Sequence, residues 1–433
     1  MDDPGLPSVF RVGEFAAWTV AAAHRQAAAF LARRNGAADR VPEVSVGVRE
    51  AAIAFRSERY LRVDGEATLE WAPLSGDYEA ADGWVRLHCN FEHHAEIACR
   101  VLGVPQDREA VEAAVRRRGR FELEDAIAEA GGAAAAMRTR AEWAAHGQSR
   151  AVAEQASVAM APIGPERSPL EQSPLASRLA PSNRPLAGVR VLDLTRIIAG
   201  PNAGRVLAGY GADVTMVRSP VLPTIRALDL DLNFGKALRF LDLRTTAGRE
   251  AFLDLARGAD VVLQSYRPGA LAGLGLGPAE LAAVNPGLVY VSISAYGADG
   301  PWGGRRGFDS LVQMAAGIAE EGMRAAGASR PVPLPAQVLD HGAGWLAAAG
   351  AVEALNLGGG RTVDVSLAGM AAALDGFGRW DPAVGLAVPD PTSEDVADLL
   401  LTVPSAAGTL THVRFPGRVA GAEFGWAGPP PLV

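Results

Sequence analysis

After residue 185, short apolar runs alternate with longer segments that mix polar and apolar positions. The run Val189–Leu194 has the length of a buried strand, whereas Gly200–Tyr210 suits a helix. Strands that alternate with helices favour a parallel sheet covered on both faces, and therefore an α/β fold. The other predicted strands are 212–217, 238–243, 260–263 and 288–293, and the other predicted helices lie near 246–257 and 278–284.

Before residue 160 the pattern differs, because one predicted strand is followed by several short helices. The strand is Gly83–His88. A small, compact, mostly helical unit is therefore expected in the first part of the chain. Its predicted helices are 92–102, 109–117, 121–130 and 140–145.

A proline-rich stretch separates the two parts. Residues 162–185 contain prolines at positions 162, 165, 169, 174, 181 and 185 among Ser, Glu, Gln and Asn. Such a stretch cannot continue a helix or a central strand, so we expect an extended linker.

An internal similarity connects the two parts. Trp18 lies in an Ala-rich segment followed by 43–46, as Trp345 lies in one followed by 364–367. Alignment on the tryptophans places Asp340 opposite Gly13, or opposite Glu14 with a one-residue gap. The similarity indicates either an internal repeat or simply two Ala-rich amphipathic helices.

Composition narrows the class of protein. The 433 residues are enough for two or three domains, and 49% apolar with 21% charged residues is ordinary for a globular protein. A net charge of −8 and a pI near 5.5 disfavour nucleic acid and anionic membranes as partners. Only Cys89 and Cys99 occur, and the acidic N-terminus lacks the features of a signal peptide. Because polar residues interrupt the Ala-rich runs at 16–32 and 343–355, we expect no membrane span and a cytoplasmic location.

The segment around Asp340 carries the most distinctive chemistry. Two apolar residues precede this carboxylate, and Gly342, Ala343 and Gly344 follow it, so we expect a turn that opens an Ala-rich helix. Free N–H groups at a helix start stabilise an ionised acid, and small neighbours leave room for an electrophile. Asp340 is therefore a candidate covalent nucleophile, with a helix N-cap as the simpler alternative.

A set of ordered segments resembles the class III CoA-transferase family, which includes formyl-CoA transferases, carnitine/bile-acid CoA-transferases and α-methylacyl-CoA racemases. Residues 81–85 and 138–143 resemble the start and end of that family's small domain, and 403–431 resemble its return segment more weakly. The segments that carry the main resemblance are 185–201, 211–220, 233–236 with 241–243, 259–269, 285–301 and 306–313, followed by Asp340.

The resemblance implies a rearranged, partly tandem version of the family architecture. The expected fold class is α/β, with a parallel Rossmann-like sheet in a large domain and a small, mainly helical α/β domain. The family's interlocked dimer implies a homodimer here, although two half-copies could also complete each other within one chain. The implied domains are a partial large-domain repeat at 1–75, a small domain at 76–160, the linker at 161–185 and a large domain at 186–433.

The resemblance also implies a reaction. In the family, the aspartate that matches Asp340 attacks an acyl-CoA thioester, forms an anhydride and then an aspartyl-CoA thioester, and passes CoA to an acceptor carboxylate. The expected partners are thus acyl-CoA and a small carboxylic acid, with no permanently bound cofactor and no metal. Backbone N–H groups in the small-residue turn Gly342–Gly344 are the expected donors to the oxyanion.

The resemblance also implies which residues contact CoA, because they lie in the segments that resemble the family. Lys236, Arg267 and Arg306 are expected near the phosphates, and Ile197, Ile198 and Tyr266 near the adenine or pantetheine. Solvated surface charges and core packing are the respective alternatives. Arg218 stands where the family commonly has Glu, so that contact is altered. The remaining expected contacts are Ser219, Ser265 and Phe308.

Two other functions stay open. Phe308 occupies the position at which the racemases have an acid/base histidine, so two-base racemisation would require another group such as His341. A CoA-binding protein that has lost turnover is the second alternative. The spacing of Cys89, His93, His94 and Cys99 matches no standard zinc pattern.

Overall fold

A seven-stranded sheet forms the centre of the molecule. The computed structural model describes residues 5–68, 71–165 and 168–433. Six neighbouring strands run parallel and the seventh pairs antiparallel at one edge, so the expected α/β class is confirmed. In spatial order the strands are Lys236–Phe240, Asp213–Arg218, Arg190–Asp193, Val261–Gln264, Val289–Ser294, Arg361–Ser366 and Ala159–Pro162.

Helices cover both faces of this sheet. The longest in the second half, Val338–Asn356, is almost entirely buried, which matches its nearly continuous apolar and small-residue sequence. The others in that half are Ala199–Gly209, Arg226–Leu232, Thr246–Ala256, Pro278–Val284, Asp309–Ala315, Ile318–Ala325, Leu367–Asp375 and Pro382–Gly385.

The small unit has its own core. Three antiparallel strands, Gly76–Ala80, Gly83–Leu87 and Ala134–Ala136, form a sheet with helices packed against it. Its core includes fully buried Val85, Val115 and Leu123. The unit therefore contains more strand than the sequence pattern predicts, because the Ala134–Ala136 strand has no β-branched residues. Its helices are Glu92–Leu102, Arg108–Val115 and Arg120–Glu129, followed by Arg140–Ala145 and Gly147–Ala153.

Residues 5–60 pack into the large domain. Helix Val12–Arg34 lies along Val338–Asn356, and Phe15 and Phe30 belong to the main apolar core. Two small sheets tie this region to the C-terminal tail. In the first, strand Val44–Ser45 pairs with Arg418–Val419. In the second, the short strands Arg62–Val63 and Glu66–Ala67 extend the hairpin formed by Leu400–Ser405 and Gly408–Val413. The remaining helices of this region are Val48–Ala54 and Ser57–Tyr60.

The expected linker at 161–185 is partly wrong. Ala159–Pro162 forms the antiparallel edge strand, and Leu170 and Leu175 are buried in the main core. Proline is tolerated there because an edge strand has one side on which no N–H is needed. The proline-rich stretch therefore packs along the large domain instead of leaving it.

Among the helices of the described residues, none combines the length and apolarity needed to cross a bilayer.

Candidate active site

The site lies where the strand order of the main sheet reverses. After strand Arg190–Asp193 the chain continues to the next strand toward one edge of the sheet, and after the adjacent strand Val261–Gln264 it continues toward the other edge. The loop after the first contains Ile197 and Ile198, and the loop after the second contains Tyr266. Open α/β sheets bind ligands in the crevice at such carboxyl ends.

A cavity of about 530 Å³ opens beside these loops and is walled by both halves of the chain. The first half contributes Glu58, Trp71, His88 and Asn90 to its lining. The second half contributes Ile197, Ile198, Ile225, Leu228, Phe308, Asp309, Ser310, Gln337 and Asp340.

Asp340 lies in the first turn of helix Val338–Asn356, and its side chain does not cap that helix. The cap is Asp309, whose Oδ2 accepts the N–H groups of Leu339 at 2.8 Å and Asp340 at 2.9 Å. Asp340 is 7% exposed and lines the cavity. The N-cap alternative for Asp340 is therefore wrong, since a different carboxylate performs that role.

Three carboxyl groups surround the floor of this cavity. Burial, then the charges of Asp309 and Glu58, raise the pKa of Asp340 well above its usual range. Burial also raises the pKa of Asp309 to about 6, although hydrogen bonds from Asp340, Gln313 and Leu339 oppose the rise. Asp309 therefore ionises first, and the proton is retained on Asp340.

His341 lies beside Asp340 in sequence but faces another direction. Its buried ring stacks on Phe55, and its Nε2 is 3.1 Å from Oε2 of Glu58. Burial acts to raise the pKa of Glu58, yet the attraction and hydrogen bond of His341 outweigh it, so that pKa is lowered. His341 is not part of the cavity lining, which disfavours it as an acid/base partner across the substrate from Asp340.

The expected small-residue turn is instead helix interior. A Cβ at Gly342 would lie 2.7 Å from the ring of Phe15, and one at Gly344 would lie 2.6 Å from the carbonyl oxygen of Ala199. These glycines allow neighbouring helices to approach the segment around Asp340 closely. Their N–H groups lie beyond the unsatisfied first turn, so the expectation that they bind an oxyanion is wrong.

Ile197 has a strained backbone at the cavity wall. Its φ of 75° is unusual for a β-branched residue, and such strain costs roughly 1–3 kcal/mol. The buried neighbour Ile198 lines the same wall. Both residues therefore line the cavity, and their contact with CoA stays a prediction.

Arginines gather beside the cavity. Burial, then Arg267 and Arg196, lower the pKa of Arg306, which places the three guanidinium groups within electrostatic reach of one another. Nη1 of Arg306 is 2.5 Å from Nε2 of His94. Among the described residues, none of the three arginines forms an ion pair with a carboxylate, so their charge is available to an anion.

The expectation that Lys236 contacts a phosphate of CoA is wrong. Its side chain is 0% exposed, and Nζ is 2.8 Å from Oδ2 of Asp193 and 2.8 Å from the carbonyl oxygen of Pro201. Burial lowers the pKa of this amine to about 8, against the attraction of Asp193. Lys236 therefore holds the first strand to the following helix and cannot reach a ligand.

The remaining expected contacts lie outside the cavity lining. Ser265 Oγ accepts the N–H of Arg196 at 3.4 Å, and Ser219 Oγ accepts that of Val221 at 3.3 Å. Tyr266 is half-buried at the same strand end. Arg218, the departure from the family, is buried and pairs with Asp229 at 2.6 Å.

Sequence reasoning missed several lining residues. Phe308 was expected, but its partner His88 was not, although the two rings stack 3.6 Å apart and almost parallel. Glu58, Asn90 and Asp309 were also missed. Asp309 alone had a local signal, since it directly follows Phe308 in a recognised segment, whereas the others come from a distant part of the chain.

Comparison with known proteins decides the family. The model of CoA-transferase family III matches residues 11–164 and 186–392. The chain belongs to this family.

Several curated proteins resemble it over part of their length. The "Probable fatty acyl-CoA transferase Rv3272" of Mycobacterium tuberculosis is 39% identical over 40% of this chain and 46% of its own. The acetyl-coenzyme A transferase nodX of Hypoxylon pulicicidum is 38% identical over 43% of this chain and 33% of its own. The formyl-CoA:oxalate CoA-transferase of Streptomyces avermitilis is 33% identical over 42% and 47%. The chain thus spans less than half the length of these relatives.

Among solved structures, a point mutant of Rv3272 from Mycobacterium tuberculosis is similar to 57% of this chain and 96% of its own. It has 26% identity and a TM-score of 0.49.

Proposed function

We propose that the protein is an acyl-CoA:carboxylate CoA-transferase with Asp340 as its covalent nucleophile. The observation that carries the proposal is a carboxyl group that does not cap its helix and lies on the floor of a cavity at the sheet's ligand-binding edge. CoA is a substrate here, not a resident cofactor. Family membership supports the reaction class.

In the proposed reaction, an Asp340 oxygen attacks the thioester carbonyl carbon and CoA leaves as thiolate, which gives an acyl-aspartyl anhydride. The thiolate then attacks the aspartyl carbonyl carbon and releases the donor acid. The acceptor carboxylate attacks the resulting aspartyl-CoA thioester, and a final attack by the thiolate yields the new acyl-CoA and free Asp340. Every bond broken is matched by one formed, so no further reactant is needed.

The surroundings suit this sequence of steps. Asp340 is buried, which limits hydrolysis of the activated intermediates by water. Arg196, Arg267 and Arg306 would hold the CoA phosphates in the Rossmann-like crevice. The apolar wall of Ile197, Ile198 and Leu228 would accept the pantetheine or the acyl chain.

We place the enzyme in the cytoplasm, and its acceptor is a small carboxylic acid. A homodimer stays the family-based prediction for its assembly. The two halves that line the cavity nevertheless belong to a single chain.

The test measures transfer of label from a panel of acyl-CoA donors to carboxylic acids. Asp340→Ala should lower kcat by at least about 10³-fold, since loss of a nucleophile removes the covalent route. Asp254→Ala, which changes an exposed aspartate paired with Arg257, should match the wild type.

Three results would contradict the proposal. They are transfer by Asp340→Ala at the native rate, CoA binding by the wild type without transfer to any acid, and deuterium uptake at the α-carbon without an acceptor. The last would indicate the isomerase alternative.

A further inference from the structure

His88 is the cavity residue that the small unit presents to the large domain. It follows strand Gly83–Leu87 and is 5% exposed. Its ring lies 3.6 Å from that of Phe308 and makes an edge contact with His94 at 6.1 Å. The imidazole is therefore held in one orientation at the wall opposite the large domain.

One nitrogen of this ring is without a partner. Nδ1 of His88 is shielded from solvent and makes no hydrogen bond to any described residue. A buried polar atom left unsatisfied costs roughly 1–3 kcal/mol. The same ring lines the cavity that holds Asp340, so a ligand bound there meets the other nitrogen, Nε2, which carries the N–H when Nδ1 is unprotonated.

The imidazole is neutral near pH 7. Burial, then the charges of His94 and Arg86, lower the pKa of His88 to about 3. A neutral ring has one N–H donor and one acceptor, so it can polarise a carbonyl group without exchanging a proton.

Asn90 adds a second donor on the same wall. Its Oδ1 accepts the hydroxyl of Ser75 at 2.6 Å and the N–H of Ala72 at 3.4 Å. These contacts fix which end of the amide is oxygen, and they leave the NH2 group as the donor that Asn90 can offer to the cavity.

The backbone donors closest to Asp340 on its own helix are already engaged. The N–H groups of Leu339 and Asp340 are bonded to Asp309, and those of Gly342 and Gly344 lie inside the helix. These four groups are therefore unavailable to an oxyanion, and donors on the facing wall of the cavity are an alternative.

We propose that His88, assisted by Asn90, is the oxyanion donor of the Asp340 reaction and thus a catalytic residue supplied by the first half of the chain. This inference rests on the proposed function. As an Asp340 oxygen bonds to the thioester carbon, the carbonyl π pair moves onto oxygen, and the His88 N–H donates a hydrogen bond to it. When the C=O bond re-forms and the C–S bond breaks, the hydrogen bond weakens again, and no proton is transferred.

The test compares His88→Phe with His88→Gln under steady-state conditions. Phenylalanine keeps the ring stack on Phe308 but removes both nitrogens, so kcat should fall by about 10²–10³-fold while KM stays nearly constant. Glutamine restores a donor and should recover at least about tenfold of that loss. Tyr78→Phe, a buried change in the same small unit outside the cavity lining, should leave kcat unchanged.

Thermal melts and CoA affinity establish that each variant is folded. If His88→Phe does not fold, Asn90→Leu replaces it, and its kcat should fall with KM unchanged. The inference is overturned if the folded variants keep kcat within about threefold of the wild type, or if the whole defect lies in KM. Acylation of Asp340 in the wild type is recorded in the same samples, so absence of that label identifies failure of the proposed function instead.

Discussion

The proton on Asp340 controls when this residue can act as a nucleophile. Its raised pKa follows first from burial and then from the charges of Asp309 and Glu58. The ionised fraction of Asp340 in the free enzyme therefore increases with pH, because a carboxylate with a raised pKa releases its proton later.

A charge-removing substitution tests this account. For the wild type, kcat/KM should rise with pH through the raised pKa of Asp340. Glu58→Gln removes one like charge, so the rise should move to lower pH. Glu109→Gln, on the exposed face of a small-unit helix, is the matched control and should leave the profile in place. An unchanged or upward-shifted profile for Glu58→Gln would show that its charge does not act on Asp340.

At this scale, some of the residues predicted from the sequence line the cavity and others do not, and their roles stay predictions. Asp340, Ile197, Ile198 and Phe308 lie in the cavity as expected, because each belongs to a contiguous recognisable segment. Lys236 belongs to such a segment too, but its burial depends on Asp193, which is 43 positions away. Pairings of this kind are set by the fold and leave no local pattern.

Close helix packing positions the segment that contains Asp340. Gly344 lies one turn after Asp340 and faces helix Ala199–Gly209, where a Cβ would meet the Ala199 carbonyl at 2.6 Å and Asn202 at 2.7 Å. Backbone atoms cannot move away as a flexible side chain can, so an added methyl group forces the helices apart.

Gly344→Ala should therefore lower the free energy of unfolding by about 1–3 kcal/mol, despite the better helix propensity of alanine. Gly273→Ala is the control, since its new Cβ would have no neighbour within 4 Å. Chemical denaturation measures both. Equal stability of the two variants would contradict the close contact.

Element type follows local periodicity where strands and helices are regular. Helices 92–102, 140–145 and 278–284 have the predicted bounds. The small-residue run after Asp340 was expected as the turn that opens the Ala-rich helix, whereas the helix already begins at Val338 and the glycines serve helix contact. Only the tertiary neighbours Phe15 and Ala199 distinguish the two cases.

For the whole molecule, the principal feature is that one chain supplies both walls of the cavity. Segments from the two ends of the chain also pair with each other, as Val44–Ser45 does with Arg418–Val419. We expect a single chain to contain a complete site, whether or not it forms a dimer.

Mixing two inactive variants tests this expectation. Asp340→Ala lacks the nucleophile, and Asn90→Trp blocks the wall contributed by the first half. If each chain builds its own site, co-expressed and purified mixtures should remain inactive. Recovery of activity would show that sites are shared between chains.

The division of the chain into domains stays a prediction from the sequence, and the packing of the parts was not predicted. The stretch 161–185 was interpreted as a linker, yet it provides an edge strand and two core leucines. Proline content excludes regular interior structure and says nothing about which surface an extended segment covers. The proposed repeat of helices 12–34 and 338–356 stays a prediction, although these helices lie side by side.

The central claim is that Asp340 becomes acylated during turnover. The most direct measurement incubates the protein with acyl-CoA, traps the intermediate with hydroxylamine and maps the product by peptide mass spectrometry. The modification should appear on Asp340, and it should be absent without acyl-CoA. Turnover that leaves Asp340 unmodified, or that places the label on Asp309 or Glu58 instead, would contradict the account.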